Sequence, residues 1–332
     1  MHKLSLGLVG AGFWGEFQAA AWGEVPGAVL AAVCDRDEAK AALFAKRLGI
    51  PKVYSDAETM LRSGSLDFVD VATGPETHEQ LVCLAASCKL PVICQKPMAL
   101  DYVTCERMVG SCRKARVMFL IHENYRWQSP MRRVKQILDS GRIGRPFRAH
   151  LQFSHGDLRF YDRQPYLYEQ PHFALFDMGP HLLDLPRFFF GEPERLTAQE
   201  FKVHPRFAGE DIVSVMVHYE RLACHCELSW RTTGYQVFVE GEQGTITWYP
   251  DGRLIVDGRE GTVTEHLTTE PYAWAHPDYG FAHASIVETN RNLFAALCGN
   301  GVAETTADDN LKTMRLVHLA LESAERHETV RV

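Results

Sequence analysis

The sequence predicts an α/β protein with a doubly wound parallel sheet in its N-terminal domain. The C-terminal domain is predicted to be α+β, with an open-faced, mainly antiparallel sheet. Up to about residue 123, short apolar runs alternate with helical patterns, which is typical of parallel strands joined by crossover helices. Beyond that point the alternation of strands and helices ends, and segments in which apolar and polar residues alternate follow. We therefore predict two domains, 1–123 and 124–332.

The composition limits which classes of protein and which kinds of binding partner fit this chain. The 332 residues are 46% hydrophobic and 23% charged, which is ordinary for a globular chain of about two domains. The formal charge of −7 is spread along the chain without a basic cluster, which argues against nucleic acid or an anionic membrane as a partner. Nine cysteines, mostly in apolar runs, favour a reducing compartment. Without an apolar run of about 20 residues or a signal peptide pattern, we expect a cytoplasmic protein.

A glycine-rich motif follows the first predicted strand. The apolar run 4–9 leads directly into Gly10-Ala11-Gly12-Phe13-Trp14-Gly15, and a helical pattern begins after it. In this context G-x-G-x-x-G is typical of dinucleotide binding. Gly10 permits the tight turn, Gly12 lets the backbone approach a pyrophosphate, and Gly15 lets the helix pack on the strand. The helix amides then receive the phosphates.

The second predicted strand, 28–34, ends at Asp35. Asp35 lies close to the spacing of roughly 20 residues at which an acid binds the adenosine ribose. A carboxylate there favours NAD, because it repels the 2′-phosphate of NADP. Arg36 is able to hold that phosphate instead, so NADP stays open. Asp35 also suits the N-cap of the helix predicted over 37–48, and both roles are compatible.

Two later strands also end in residues suited to a site. The strand at 66–72 leads into Thr73-Gly74-Pro75, a turn predicted to pass under the nicotinamide half of the cofactor. The strand at 91–94 leads into Gln95-Lys96-Pro97. Ligands bind beyond the carboxyl ends of parallel strands, and Lys is rarely buried without a partner. We predict that Lys96 transfers the proton of the reaction, as a general acid/base.

The strand patterns of the second half describe its sheet. Over 222–231, Cys224 and Cys226 share one face with other apolar residues, whereas His225 lies on the opposite face. We therefore expect no zinc site at these three residues. The run 212–219 is partly apolar on both faces, which predicts a sheet covered on both sides by helices or by another subunit.

Asp177, His181 and Asp184 are spaced to lie on one face of a helix. We predict that His181 assists Lys96 and that Asp177 orients His181. Since hydride transfer to a nicotinamide needs no metal, we predict no metal ligands in the chain. The segment 155–172 is rich in aromatic and hydrogen-bonding residues, which suits a hydroxyl-rich ligand or a polar surface loop. The predicted substrate-binding residues are Lys96, Asn124, Arg126, His155, Asp157, Tyr166, Asp177 and His181.

These motifs together resemble the Gfo/Idh/MocA oxidoreductases, such as glucose–fructose oxidoreductase and the inositol dehydrogenases. The resemblance runs in family order from residue 4 to the C-terminal helix. Its motifs are the opening glycines, the T-P-x-x-x-H turn at Thr73–His78, the E-K-P motif at Gln95–Pro97, Gly141–Gly144, Asp177–Asp184 and Gly241–Thr245. Two positions depart from the family pattern, since Gln95 replaces a glutamate and Gly74 replaces a proline.

The resemblance implies a Rossmann domain, NAD or NADP, and a sugar, inositol or sugar derivative as substrate. It implies that Lys96 is the catalytic lysine, that Asp177 and His181 contact the reacting hydroxyl, and that the Lys96–Pro97 bond is cis. It also implies homodimers or homotetramers formed through the C-terminal sheet. The positions it assigns to the cofactor beyond the glycine motif, Asp35 and Arg36 are Thr73, Gly74, Pro75, His78, Gln95 and Lys96.

The sequence thus predicts an NAD(P)-dependent dehydrogenase that interconverts a secondary hydroxyl and a ketone on a sugar or polyol. Two other functions fit the same residues. An enzyme that retains NAD is able to eliminate or isomerise a glycoside through transient oxidation. A protein that has kept the fold and lost catalysis is able to sense the cofactor.

Overall fold

The computed structural model describes residues 3–332 and divides into two compact units. The first contains the described residues up to Asn124 together with Pro271–Met314, and the second contains Tyr125–Glu270 together with Arg315–Val332. The sequence analysis also separated the chain near residue 123, but it assigned everything after that point to one domain. The structure differs because the segment 271–314 returns to the first unit.

The first unit is built on a six-stranded parallel sheet. Its strands are β1 (Leu4–Val9), β2 (Ala28–Cys34), β3 (Lys52–Tyr54), β4 (Phe68–Val71), β5 (Val92–Gln95) and β6 (Phe119–His122). The order β3-β2-β1-β4-β5-β6 is that of a doubly wound dinucleotide-binding sheet, with the reversal between β1 and β4. The predicted fold class of the N-terminal half is therefore confirmed.

Helices of the first unit cover both faces of this sheet. Those between the strands are α1 (Phe13–Gly23), α2 (Glu38–Leu48), α3 (Ala57–Leu61), α4 (His78–Ser87) and α5 (Tyr102–Ala115). Local sequence fixes the starts of α2 and α5, because the side chains of Asp37 and Asp101 accept hydrogen bonds from the amides of Lys40 and Thr104.

The side chains of successive residues in a strand pack into two different hydrophobic clusters. Leu8 and Ile93 belong to one apolar cluster, whereas Val9 and Cys94 belong to the other. The first cluster includes Leu293 and other residues of α9 (Gly280–Leu297), a helix far along the chain. The sheet needs this late helix to cover its face, which explains why the C-terminal segment belongs to the first unit.

The second unit contains a nine-stranded sheet. Its strands are β7 (Pro146–His155), β8 (Arg195–Phe201), β9 (Ile212–His218), β10 (Ala223–Ser229), β11 (Thr233–Gly241), β12 (Gly244–Trp248), β13 (Arg253–Gly258), β14 (Gly261–His266) and β15 (Val330–Arg331). They run in the order β14-β13-β12-β11-β7-β10-β9-β8-β15, and all pairs are antiparallel except β7 with β10. The predicted mainly antiparallel sheet is confirmed.

One face of this sheet is buried and the other is half-buried. Cys224, Cys226 and Leu228 are at most 1% exposed, whereas His225 and Glu227 between them are partly exposed. The alternation predicted for 222–231 is therefore confirmed. In the single chain, the half-buried face carries mostly polar and charged side chains.

The remaining helices of the second unit are α6 (Ser129–Asp139), α7 (Phe173–Asp177) and α8 (Gly179–Phe190), and α10 (Ala307–Arg326) passes from one unit to the other after Met314. The sequence analysis placed Asp177, His181 and Asp184 on one helix. The structure corrects this, because Asp177 is the last residue of α7 and Met178 separates it from α8. Among the described residues, no helix has the length and apolarity needed to cross a membrane.

Asp70 is a fully buried carboxylic acid in the middle of the parallel sheet. Its Oδ2 accepts a hydrogen bond of 2.7 Å from Trp22 Nε1, which joins β4 to α1. Burial raises the pKa of Asp70 to about 7, and the Trp22 bond lowers it only in part. Because the pKa in the folded chain exceeds that of the unfolded chain, Asp70 favours folding below about pH 4 and loses this contribution as the pH rises through about 7.

We expect Asp70→Asn to remove this pH dependence while retaining an acceptor for Trp22. The variant should be more stable than the parent at pH 8, by roughly 2–4 kcal/mol, and nearly equal to it at pH 4. Urea unfolding at both pH values measures the difference. Asp67→Asn is the matched control, since Asp67 is exposed beside the same strand. An equal gain for Asp70→Asn at both pH values would contradict the assignment.

Candidate active site

The glycine-rich turn between β1 and α1 is shaped by two close backbone approaches. Gly10 has a φ of +107°, and a Cβ there would lie 2.8 Å from the carbonyl oxygen of Ala72. A Cβ at Gly15 would lie 2.1 Å from the carbonyl oxygen of Gly10. Both positions therefore require glycine, and together they hold the start of α1 against the sheet.

The start of α1 fits the pyrophosphate of a dinucleotide. Gly12 is the N-cap, and no side chain caps the helix. A Cβ on Gly12 would have Lys40 Nζ, at 3.7 Å, as its only neighbour within 4 Å among the described residues. Open space before an uncapped helix N-terminus, with a lysine beside it, is a suitable environment for phosphate oxygens. Phe13 and Trp14 begin α1, whereas the sequence analysis placed the start of this helix after Gly15.

Asp35 is tied to this turn. Its Oδ2 accepts hydrogen bonds from the amide of Ala11 at 2.9 Å and from Lys40 Nζ at 3.1 Å, and its Oδ1 accepts one from the amide of Asp37 at 3.1 Å. Burial raises the pKa of Asp35, but these bonds outweigh burial and lower the pKa below its ordinary value. Asp35 is therefore an anion at neutral pH, while Arg36 is exposed.

Lys96 follows β5, half-buried, and the Lys96–Pro97 peptide bond is cis as the resemblance implied. The preceding residue, Gln95, is 6% exposed, and its Nε2 is buried with no hydrogen-bond partner among the described residues. A buried donor of this kind costs free energy until an acceptor reaches it. An oxygen of the nicotinamide half of NAD is a suitable acceptor, so this position also fits the cofactor.

His78 connects the two turns beside this position. The structure places it fully buried, with both ring nitrogens directed at backbone carbonyls, and its predicted contact with the cofactor stays a prediction. Its Nε2 is 3.0 Å from the oxygen of Thr73, and its Nδ1 is 3.1 Å from that of Pro97. Burial lowers the pKa of His78 below its ordinary value, although these carbonyls act in the opposite direction. His78 therefore links the turn at Thr73 to the turn at Pro97.

The other residues of the turn after β4 lie at its surface or begin the next helix. Thr73 and Gly74 are half-buried, and Thr77 Oγ1 donates a hydrogen bond of 2.7 Å to Thr73 Oγ1. Pro75 begins a short 3₁₀ turn that leads into α4. The turn is therefore fixed by its own hydrogen bonds, independently of a ligand.

In the second unit, His181 lies among aromatic side chains. It is 4% exposed, and its ring stacks on that of Tyr125 with centroids 4.0 Å apart. Asp177 is half-buried at the end of α7, close to the phenol of Tyr161. Burial and then the charge of Asp177 raise the pKa of Tyr161 well above its ordinary value, so Tyr161 remains a hydrogen-bond donor.

His155, Asp157 and Tyr166 differ in their surroundings. His155 ends β7, where its Nδ1 is 2.6 Å from Tyr235 Oη and its ring stacks on Trp230. Asp157 instead pairs with the exposed Arg159, and Tyr166 is 50% exposed. Of these three predicted substrate residues, His155 has the environment of an ordered site, whereas the other two belong to a surface segment.

Arg126 and Asn124 have structural partners. Arg126 Nε and Nη2 bind the two carboxylate oxygens of Asp184 at 2.7 and 2.5 Å, and both residues are buried. Asn124, in the first unit, donates to Ser285 Oγ at 2.8 Å. These contacts hold segments of the chain together, and substrate binding by Arg126 and Asn124 stays a prediction.

The sequence analysis did not single out Tyr125 or Lys40, and it included Tyr161 only as part of the aromatic segment 155–172. No local pattern marks Tyr125, because its ring partner His181 comes from a distant element. Lys40 was detectable in principle, since it lies one helical turn after the N-cap that follows Asp35.

We expect Gly15→Ala to abolish or strongly weaken NADH binding, by at least about tenfold, because the added methyl group displaces Gly10 and the start of α1. Fluorescence titration with NADH measures the effect. Gly23→Ala is the matched control, since Gly23 ends the same helix and a Cβ there would meet nothing within 4 Å among the described residues. NADH affinity unchanged in Gly15→Ala would place the cofactor elsewhere.

Comparison with known proteins agrees with this geometry. Residues 4–123 match the oxidoreductase family with an NAD-binding Rossmann fold, and residues 131–264 match the GFO/IDH/MocA C-terminal domain. The chain is 36% identical to a D-apiose dehydrogenase of Rhizobium rhizogenes over 99% of this chain and 98% of that protein. It is also 36% identical to a D-apiose dehydrogenase of Paraburkholderia graminis, covering 97% and 88% of the two chains.

A crystal structure of an oxidoreductase from Agrobacterium radiobacter, in complex with NAD+, L-tartaric acid and magnesium, is also similar. It has a TM-score of 0.96 and 35% sequence identity, and the match covers 99% of this chain and 98% of that one. The family matches, the similar proteins and the geometry of the glycine turn all indicate an NAD-binding oxidoreductase. The chain belongs to the Gfo/Idh/MocA family and is an NAD-dependent oxidoreductase.

Proposed function

We propose that the protein oxidises a hydroxyl group of a sugar or polyol with NAD, and that D-apiose is the first substrate to test. The observation that carries this proposal is the position of Lys96, half-buried after β5 in the unit that also contains the glycine turn and Asp35. D-apiose is the substrate named for two relatives that are 36% identical over nearly the whole chain.

Lys96 is assigned the proton transfer. In the oxidative direction, NAD bound at the glycine turn would supply the acceptor for the hydride that leaves the substrate carbon. The proton of the same carbinol passes to Lys96 Nζ, and the carbon–oxygen single bond becomes a carbonyl. Lys96 accepts this proton as the neutral amine, and the ammonium so formed passes the proton to water, so the reaction releases one proton overall. Hydroxyl protons need this help because an alcohol is a very weak acid.

His181 and Asp177 are assigned to the substrate hydroxyls. His181 is held by its stack on Tyr125, which fixes the direction of its ring. Asp177 and the nearby Tyr161 phenol offer an acceptor and a donor, a combination suited to a hydroxyl-rich ligand. His155, which is hydrogen-bonded to Tyr235, offers a further group of this kind for a substrate hydroxyl.

The same residues allow two kinds of product. Oxidation of a secondary ring hydroxyl gives a ketone, as the sequence analysis expected. Oxidation of the anomeric hydroxyl of a cyclic sugar gives a lactone. Analysis of the product formed from D-apiose and from myo-inositol therefore identifies the carbon that loses hydride.

We also propose a cytoplasmic homodimer or homotetramer assembled through the half-buried face of the nine-stranded sheet. Ile212, Met216 and Phe238 lie on that face among polar side chains, partly exposed in the single chain. The nine cysteines are free thiols, as a reducing compartment requires. We expect light scattering to give a multiple of the 37.5 kDa chain mass. A monomer mass would contradict the assembly.

We expect Lys96→Met to lower kcat by about 10²–10⁴, because a general acid/base is lost, while NADH binding stays within about threefold of the parent. NADH absorbance during turnover of D-apiose, myo-inositol and other sugars measures the rate. Lys52→Met is the matched control, since Lys52 is exposed on the edge strand β3.

Near-normal turnover in Lys96→Met would contradict the assigned role. Absence of NADH formation by the parent across the whole sugar panel would instead favour a non-catalytic cofactor sensor. Product formation without net NADH, by protein purified with NAD bound, would favour elimination or isomerisation through transient oxidation.

A further inference from the structure

A group of titratable side chains in the second unit has no part in the proposed reaction. His172 precedes α7, Glu200 lies on β8, and Glu210 lies in the loop before β9. One nitrogen or oxygen atom of each lies within 4.8 Å of the others. Glu200 and Glu210 lie on either side of the β8–β9 connection, and the fold brings His172 to them from a separate segment.

The contacts within the group leave buried oxygen atoms unsatisfied. His172 Nδ1 is 3.3 Å from Glu200 Oε2 and 3.3 Å from Glu210 Oε2, and the second contact lacks hydrogen-bond geometry. The Glu200 side chain is 7% exposed, and its Oε1 is buried with no hydrogen-bond partner among the described residues. One imidazole N–H therefore faces two carboxylates and serves neither at an ideal distance.

Charge in this group is poorly balanced. Burial, and then repulsion from Glu210, raises the pKa of Glu200 to about 7, and Glu325 adds to this effect. His172 acts in the opposite direction but does not offset them. Two carboxylates this close, one of them buried, take up either a proton or a cation to reduce their repulsion.

We propose that His172, Glu200 and Glu210 bind a divalent transition-metal ion of the Zn²⁺ type. One imidazole nitrogen and two carboxylate oxygens are a ligand set found in zinc sites, with water completing the coordination. The imidazole favours zinc over magnesium, which prefers oxygen ligands and retains its own waters. The ion supplies the positive charge that the three side chains lack.

A second group among the described residues, His150, His225 and Glu227, offers similar ligands but is already satisfied. His150 Nε2 is 2.5 Å from Glu227 Oε2, and His225 Nε2 is 2.8 Å from Ser214 Oγ. These side chains form a hydrogen-bonded row on the half-buried sheet face. The row serves as an internal comparison for the proposed site.

The backbone around the proposed site is closely packed. A Cβ at Gly209 would lie 2.7 Å from both the oxygen of Gln170 and the amide nitrogen of His172. The amide of Ala174, in α7, donates to the oxygen of Glu210 at 3.3 Å. An ion held by the three side chains would therefore stabilise the junction between this loop and α7, whichever reaction the protein catalyses.

The test uses tag-free protein that has been treated with a chelator and desalted. Equilibrium dialysis against ZnCl₂, with metal analysis by mass spectrometry, gives stoichiometry and affinity. We expect about one zinc per chain and a rise in Tm of a few degrees that equimolar MgCl₂ does not reproduce. Glu200→Gln should weaken zinc binding by at least about tenfold, because it removes a charged ligand at nearly constant shape.

His225→Gln is the matched control and should leave the affinity unchanged. Glu210→Gln provides a second variant of the site, and far-UV circular dichroism and NADH titration confirm that each variant folds. The proposal is overturned if the parent takes up no zinc at 100 μM, a concentration about tenfold above a Kd of roughly 10 μM. It is also overturned if Glu200→Gln and Glu210→Gln bind as well as the parent, or if His225→Gln alone loses the ion.

Discussion

The arrangement of the first unit's site depends on the contacts of one buried imidazole. His78 begins α4 and joins the turn after β4, through Thr73, to the turn after β5, through Pro97. With its pKa lowered by burial, the neutral ring donates one proton. One turn therefore receives a hydrogen bond from the ring, while the carbonyl oxygen of the other faces the second ring nitrogen. Lys96 immediately precedes Pro97, so its backbone position follows from this contact.

Local signals explain how much of the first unit the sequence could predict. Each parallel strand is a short apolar run, and the residues after it emerge at the same edge of the sheet. The glycine turn, Asp35 and Lys96 were therefore recognisable one element at a time. Asp70 was not recognisable in this way. Its partner Trp22 lies 48 residues away in the sequence, and every residue of its strand is buried, so Asp70 does not stand out. The return of α9 was equally hidden, since an amphipathic helix does not specify which sheet it will cover.

In the second unit, the periodicity of the sequence predicted on which face of a strand or helix a residue lies, but not which residues it contacts there. The alternation over 222–231 identified the buried side of β10 correctly. The spacing of Asp177, His181 and Asp184 was also a real pattern. However, Met178 interrupts the helix, and Asp184 turns out to bind Arg126, 58 residues earlier. Residues at one helical spacing thus serve different purposes, because neighbouring elements decide what each side chain meets.

The buried carboxylates of the second unit show why such partners matter. Asp184 is 0% exposed, yet Arg126 satisfies both its oxygens and Arg187 lies 3.7 Å from one of them. Removing a charge from water costs several kcal/mol, which only well-placed opposite charges or donors offset. Glu200 bears the same kind of cost but faces a second carboxylate and a single imidazole. The difference between the two sites is one of net charge, and it is why the first is complete within the chain and the second requires a proton or a cation.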